Sequence, residues 1–243
     1  MGLLKRQFGR VGRANKKPFD IGVVGIDGAG KSTLSSGLKQ ALQGLNLNAK
    51  IINAPYYSDL QGYAFFRWLS RKSKEIISRG ARRKNKITLL VGSVMAVLPF
   101  RIAQSLMKRA RADVRIYERH PTLEGGIFEV YGKGLGNTMM QVGKATGGFA
   151  PQLVIFMKVV PEIAAERIAA DRTRTGKWRG AEFPHEKLEN LRRMQSAYER
   201  TISLLKKTYG NKIAVVEING TEPVGKNIQG IVQKLKELGV IAG

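Results

Sequence analysis

The chain has 243 residues, enough for one α/β domain with a core that folds alone. It has no cysteine and only two histidines, which excludes disulfides, thiolate metal sites and a histidine-built metal centre. The formal net charge of +24 fits either a solvated surface or one that attracts polyanions: nucleotides, nucleic acid or an anionic membrane.

Residues 1–17 hold six basic groups and no acid. Leu3-Leu4 is too short for the apolar core of a secretory signal, so residues 1–18 read as a basic N-terminal arm before one domain over 19–243. Phe19 to Val24 is a short apolar run and reads as a buried strand. Gly25-Ile26-Asp27-Gly28-Ala29-Gly30-Lys31-Ser32-Thr33 follows, and then Leu34, Leu38, Ala41 and Leu42 recur at helical spacing. A glycine-rich loop between strand and helix, ending in Gly-Lys-Ser, has the form of the phosphate-binding P-loop. Its backbone N–H groups and the positive end of the helix face phosphate oxygens. Lys31 is expected to bridge the β- and γ-phosphates, and the Ser32 hydroxyl to ligate Mg²⁺. The expected ATP-binding set is Gly25, Asp27, Gly28, Ala29, Gly30, Lys31, Ser32 and Thr33, with ATP and Mg²⁺ as cofactors.

Ala49 to Asn53 is a second strand, and Ala54-Pro55-Tyr56-Tyr57 leaves its carboxyl end, the edge where open α/β sheets bind ligands. Residues 63–77 read as a helix with Phe65, Phe66, Trp68 and Leu69 on its apolar side. From Arg67 to Lys86 nine basic groups stand against Glu75 alone, a candidate surface for nucleic acid or an anionic membrane. The fourteen uncharged residues from Ile87 to Phe100 are too few to cross a bilayer. They open a long helix to about residue 109, either buried in the monomer or serving as a homodimer interface.

Asp113 to Tyr117 is a third strand, with Glu118-Arg119-His120-Pro121 at its end. A glycine-rich piece over 131–136 precedes a short helix over 138–146. Leu153 to Val160 is an almost unbroken apolar run, suited to the middle of a parallel sheet. Pro161 opens the next helix. The polar, basic stretch after it reads as a mobile lid near 171–183, a loop that carries Arg172 and Arg174. Pro184 to Lys206 is helical, Ile213 to Ile218 is the last strand and Pro223 to Leu238 the last helix. Alternating strands and helices predict a three-layer α/β fold, with a mostly parallel five-stranded sheet and helices on both faces. The lack of cysteine suits a reducing compartment, and a cytoplasmic location is expected.

A phosphotransferase on this scaffold needs a carboxylate for Mg²⁺ or for the acceptor hydroxyl, and cations for the transferring phosphoryl group. Glu118 and Arg119 at a strand end, with Arg172 and Arg174, supply both. With Lys31 they form the candidate catalytic set; Ser32 and Glu118 form the candidate metal set.

The blocks, in this order, resemble thymidylate kinases within the wider group of P-loop nucleoside and nucleotide monophosphate kinases. The resemblance covers about residues 19–235. It rests on Gly25-Ile26-Asp27-Gly28, on Glu118-Arg119-His120 for the family's Asp-Arg-Tyr, and on Tyr131 to Leu135 for its Tyr-Gly-Arg-Gly-Leu. Ala145-Thr146-Gly147-Gly148 and Pro151-Gln152-Leu153 follow in the family's order. The resemblance implies a P-loop NTPase fold and transfer from ATP–Mg²⁺ to a small-molecule nucleotide, often in a homodimer. By that resemblance Asp27 faces the acceptor sugar and Arg119 the acceptor phosphate. Tyr56, able to donate to phosphate or stack on a base, and Phe66 complete the candidate acceptor-binding set. Ala29 stands where some members carry an arginine, which throws the charge-neutralising role onto Arg172 and Arg174.

The departures lie in the acceptor site. The family's Arg-Glu-Pro-Gly after the second strand is here Asn53-Ala54-Pro55-Tyr56, without the phosphate-holding arginine. Its Asp-X-Asp-Pro is here Lys158-Val159-Val160-Pro161. Glu118-Arg119 also resembles the Glu-Arg-Ser motif of deoxynucleoside kinases, whose acceptor is a nucleoside. Three functions therefore stand: a nucleotide kinase, a nucleoside kinase, and a non-catalytic nucleotide-binding adaptor with a basic surface.

Overall fold

The computed structural model describes residues 17–53, 111–118, 150–175 and 186–241, residue 123, and scattered residues between 68 and 95. The N-terminal arm up to residue 16, Tyr56, Phe66, Arg119, most of the apolar run from 87 to 100 and residues 176–185 lie outside them.

Five strands form one sheet: β1 (Phe19–Val24), β2 (Ala49–Asn53), β3 (Val114–Glu118), β4 (Leu153–Lys158) and β5 (Ala214–Asn219). Their spatial order is β2-β3-β1-β4-β5, and every pairing is parallel. Parallel strands covered on both faces must be apolar on both faces. All six residues of β1 are buried, and in β4 only Lys158 is exposed.

Among the described residues, four longer helices connect or follow the strands: α1 (Lys31–Gly44), α2 (Pro161–Thr175), α3 (Leu188–Tyr209) and α4 (Val224–Glu237). From β1 the chain moves toward one edge of the sheet through α1, and from β4 toward the other edge through α2 and α3. Right-handed crossovers running in opposite directions place their helices on opposite faces. Packing agrees: α1 lies against α4, and α2 against α3. Each helix turns one stripe inward at a period near 3.6. α1 buries Leu34, Leu38 and Leu42, and α3 buries Leu191, Met194, Tyr198, Ile202 and Leu205. Phe156 of β4 meets Tyr198 of α3 with ring centroids 6.4 Å apart, so α3 covers the face that carries Phe156, Val24 and Asp20.

That face holds a buried ion pair. Arg115 Nε donates to Asp20 Oδ1 at 2.6 Å and its NH2 group donates to Oδ2 at 2.9 Å. The two residues are register partners on β3 and β1. The Arg115 guanidinium carbon lies 6.0 Å from the centroid of the Tyr117 ring. Burial, and then the Asp20 charge, push the Tyr117 phenol well above its ordinary pKa.

The structure corrects several expectations. The helix expected over Pro184 to Lys206 runs Leu188–Tyr209, and the last strand runs Ala214–Asn219 rather than Ile213 to Ile218. Strand β4 stops at Lys158 rather than Val160: the bond from Gly220 N–H to Lys158 O is the last rung of its ladder with β5, and the helix opens three residues on at Pro161. Glu118 is the last residue of β3 rather than the first beyond it. Arg172 and Arg174 are helical residues at the end of α2 rather than loop residues. An exposed helix tolerates a polar, basic end, since cations there complement the carbonyl end of the helix dipole. Thr173 Oγ1 also donates back to Ala169 O at 3.1 Å. Among the described residues, no helix is long and apolar enough to cross a membrane.

Candidate active site

Val24 ends β1, and the chain turns through Gly25 to Gly30 into α1 at Lys31. Gly30 caps the helix in the left-handed region with φ 90°. Gly28, at φ 79°, lies so close to the backbone of α2 that a Cβ there would collide with Ala164 O. The first N–H groups of α1 have no partner within the helix and open toward the mouth of the loop.

Lys31 is only 8% exposed. A buried ammonium needs acceptors for its protons. Its Nζ donates to Gly25 O and Ile26 O, each at 2.8 Å, and lies 3.3 Å from Asp27 Oδ1. Asp27 is thus tied to Lys31 within the loop.

Ser32 begins the exposed side of α1, and its hydroxyl donates to Glu118 Oε2 at 2.9 Å. Eighty-six residues separate the two in sequence. Strand β3 lies beside β1 in parallel, which brings its carboxyl end to the edge from which the P-loop leaves. The result is a pair of oxygen donors from two elements at one point. Hard oxygen donors of this kind suit Mg²⁺.

Two further elements border the loop. Arg167, in the middle of α2, donates to Gly220 O at 2.9 Å and reaches Gly28 O at 3.5 Å. It joins the P-loop to the turn after β5. That turn is itself fixed: Asn219 Oδ1 accepts from Thr221 N and Thr221 Oγ1, at 3.0 and 2.7 Å, and Asn227 Nδ2 donates to Asn219 O at 2.9 Å. Sequence reasoning missed Arg167. The available signal was its position seven residues before Arg174, on the same side of a helix.

Arg172 pairs with Glu186, and Arg174 NH2 donates to Asp171 Oδ1 at 2.7 Å. The structure therefore brings together Gly25, Asp27, Gly28, Ala29, Gly30, Lys31, Ser32, Thr33 and Glu118 at one sheet edge. It sets Arg172 and Arg174 on the helix that abuts the loop. Arg119, Tyr56 and Phe66 lie outside the described residues.

A parallel sheet ordered β2-β3-β1-β4-β5, with a glycine-rich Gly-Lys-Ser loop leaving its central strand, defines a P-loop α/β fold. No protein-family model and no curated protein matches the chain. Among solved structures it is similar to a deoxyadenosine kinase from M. mycoides, in one structure with the products dCMP and a flexible dCDP bound and in another with bound dCTP. Both are 17% identical and cover 90% of this chain and 100% of theirs, with TM-scores of 0.52 and 0.51. At that identity the likeness is one of fold.

Proposed function

We propose that this chain is an ATP–Mg²⁺ phosphotransferase whose acceptor is a nucleoside, with the donor cradled by the loop from Gly25 to Thr33. The observation that carries the reading is the Ser32–Glu118 hydrogen bond, which gathers a hydroxyl and a carboxylate beside the loop as a pair of hard oxygen donors. The residues fit such an ion. Ser32 would ligate it directly and Glu118 would hold its hydration shell. Mg²⁺, when bound, neutralises charge on the β- and γ-phosphates.

The chain's own groups do the rest. N–H groups at the start of α1 orient the phosphates. Lys31 moves from the carbonyls of Gly25 and Ile26 to phosphate oxygens, a short swing for a side chain with four rotatable bonds. The acceptor oxygen bonds to the γ-phosphorus as the bond to the β,γ-bridging oxygen breaks. The hydroxyl proton leaves to solvent through the Glu118 carboxylate. Arginine at the end of α2 offsets the charge on the phosphoryl group in flight.

A nucleoside acceptor is favoured over a nucleotide because residues 53–56 lack an arginine for an acceptor phosphate. The deoxyadenosine kinase fold and the Glu118-Arg119 pair support the same choice. A nucleoside monophosphate acceptor is the second reading, supported by the thymidylate-kinase-like blocks at 131–135 and 145–148.

The test is ADP release from Mg·ATP against a panel of deoxynucleosides, ribonucleosides and their monophosphates. A deoxynucleoside is expected to give turnover, and Glu118→Gln to lower it at least a hundredfold, as loss of a group acting on the transferring phosphoryl does. Turnover with monophosphates alone would establish the second reading. No release above background with any acceptor, despite Mg·ATP binding, would favour the adaptor.

A further inference from the structure

Two arginines stand at the end of α2, and the structure distinguishes them. A helix advances about 100° per residue. Arg174 lies seven residues beyond Arg167 and so falls within about 20° of it around the axis. Arg172 lies five residues beyond and is turned about 140° away. Arg167 marks the direction of the P-loop, since its guanidinium reaches Gly28 O and Gly220 O. Arg174 therefore shares the P-loop stripe of α2, about two turns further along.

The opposite direction is marked as well. Glu162, five residues before Arg167, accepts from Arg192 of α3 at 3.0 and 2.6 Å. Arg172 is turned toward that side and pairs with Glu186, two residues before the start of α3. The Arg172 and Glu186 side chains are 28% and 16% exposed. The pair between Arg174 and Asp171 is 79% and 58% exposed. Water screens the second pair and competes for it, so Arg174 exchanges partners at little cost; the first pair is more shielded.

Resting on the phosphotransferase reading, we propose that Glu186 is a positioning residue that holds Arg172 on the α3 side of α2, so that Arg174 is the arginine that meets the donor γ-phosphate. Arg172 then acts through the helix it anchors rather than on phosphate.

The test compares Mg·ATP with Mg·ADP binding by calorimetry, because an arginine at the γ-phosphate raises affinity for the first and not the second. Arg174→Gln is expected to lower the ATP preference roughly tenfold, the scale of one charge-assisted contact, without shifting the melting temperature. Arg172→Glu and Glu186→Arg are each expected to lower the melting temperature and the ATP preference. The combined charge swap is expected to restore both. Glu186→Gln, a milder change, should reproduce the defect of Glu186→Arg in weaker form. A swap that leaves ATP preference as low as Arg172→Glu alone overturns the proposal, and so does an Arg174→Gln protein that keeps full preference. Wild-type protein that binds neither nucleotide sinks the phosphotransferase reading itself, a result distinct from either.

Discussion

The Ser32 hydroxyl and the Glu118 carboxylate meet at 2.9 Å, one from the first turn of α1 and the other from the last residue of β3. Local sequence places each of them but not their meeting. Their meeting depends on β3 lying directly beside β1, with Val23 opposite Glu118. If the two act on one cation, their effects on transfer should overlap. Ser32→Ala and Glu118→Gln are each expected to lower turnover and raise the Mg²⁺ concentration needed for half-maximal rate. The double variant should then be little worse than the poorer single one, because residues acting as a unit are not additive. Fully multiplicative losses would mean that they serve separate steps.

Lys31 carries a second burden that its motif does not announce. Its ammonium sits among Gly25 O, Ile26 O and Asp27. Lys31→Met should abolish transfer and weaken nucleotide binding. It should also lower stability by about 1–3 kcal/mol, since two loop carbonyls lose a donor and Asp27 loses its cation. Chemical denaturation of the nucleotide-free protein measures this. An unchanged midpoint would show that the loop satisfies those groups without Lys31.

Much of this was legible in the sequence, for identifiable reasons. Phe19–Val24 falls where its largely apolar run begins and ends, because a strand buried on both faces carries no competing pattern; Ala49–Asn53, an edge strand with Lys50 exposed, is marked instead by its short β-branched run before a proline-containing stretch. The P-loop is a local motif, and its strand–loop–helix context is local too. The meeting of Ser32 with Glu118 is a matter of topology; the sequence pointed to it through Glu118 at the carboxyl end of a strand, the edge from which the P-loop leaves. Arg172 and Arg174 look like loop residues because polarity resembles solvent exposure, and an exposed helix end is just as polar. Arg167 was easy to miss because its partners are backbone carbonyls, which leave no trace in composition, and its seven-residue spacing from Arg174 counts only once both are known to be helical. The buried Asp20–Arg115 pair escaped because a charge in an apolar strand shows its partner only when the neighbouring strand is known.

Glu217 links β5 to its surroundings. Lys206 Nζ donates to its Oε1 at 2.7 Å, and Lys158 Nζ donates to Oε2 at 3.3 Å. The Lys206 hydrogen bond, with help from Lys158, holds the Glu217 carboxyl below its ordinary pKa despite partial burial. A carboxyl depressed on folding contributes stability above the unfolded-state pKa, and loses it as pH falls through the folded value. Wild type should therefore lose stability more steeply than Glu217→Gln between the ordinary glutamate range and more acid pH. The difference should be small, since the carboxyl is 38% exposed and water screens the pair. Parallel acid-denaturation curves would remove Glu217 from the account.

Asp20 and Arg115 make the strongest demand on the fold. Both side chains are under a tenth exposed, and they face each other bidentately across adjacent strands. A buried pair pays heavily for desolvation, so its net worth is modest, while either charge left alone is costly. Asp20→Leu or Arg115→Met alone should destabilise by about 3–5 kcal/mol, enough to threaten folding in a domain of ordinary stability. The double variant should recover much of that loss, because it strands no charge. The pair also favours one alignment: a one-residue slip of β3 along β1 would set Arg115 against an apolar neighbour and leave Asp20 without its guanidinium. Thermal unfolding of the two single variants and the double variant decides the matter. If the double variant loses the sum of the two single losses, the ion pair contributes nothing that depends on both partners.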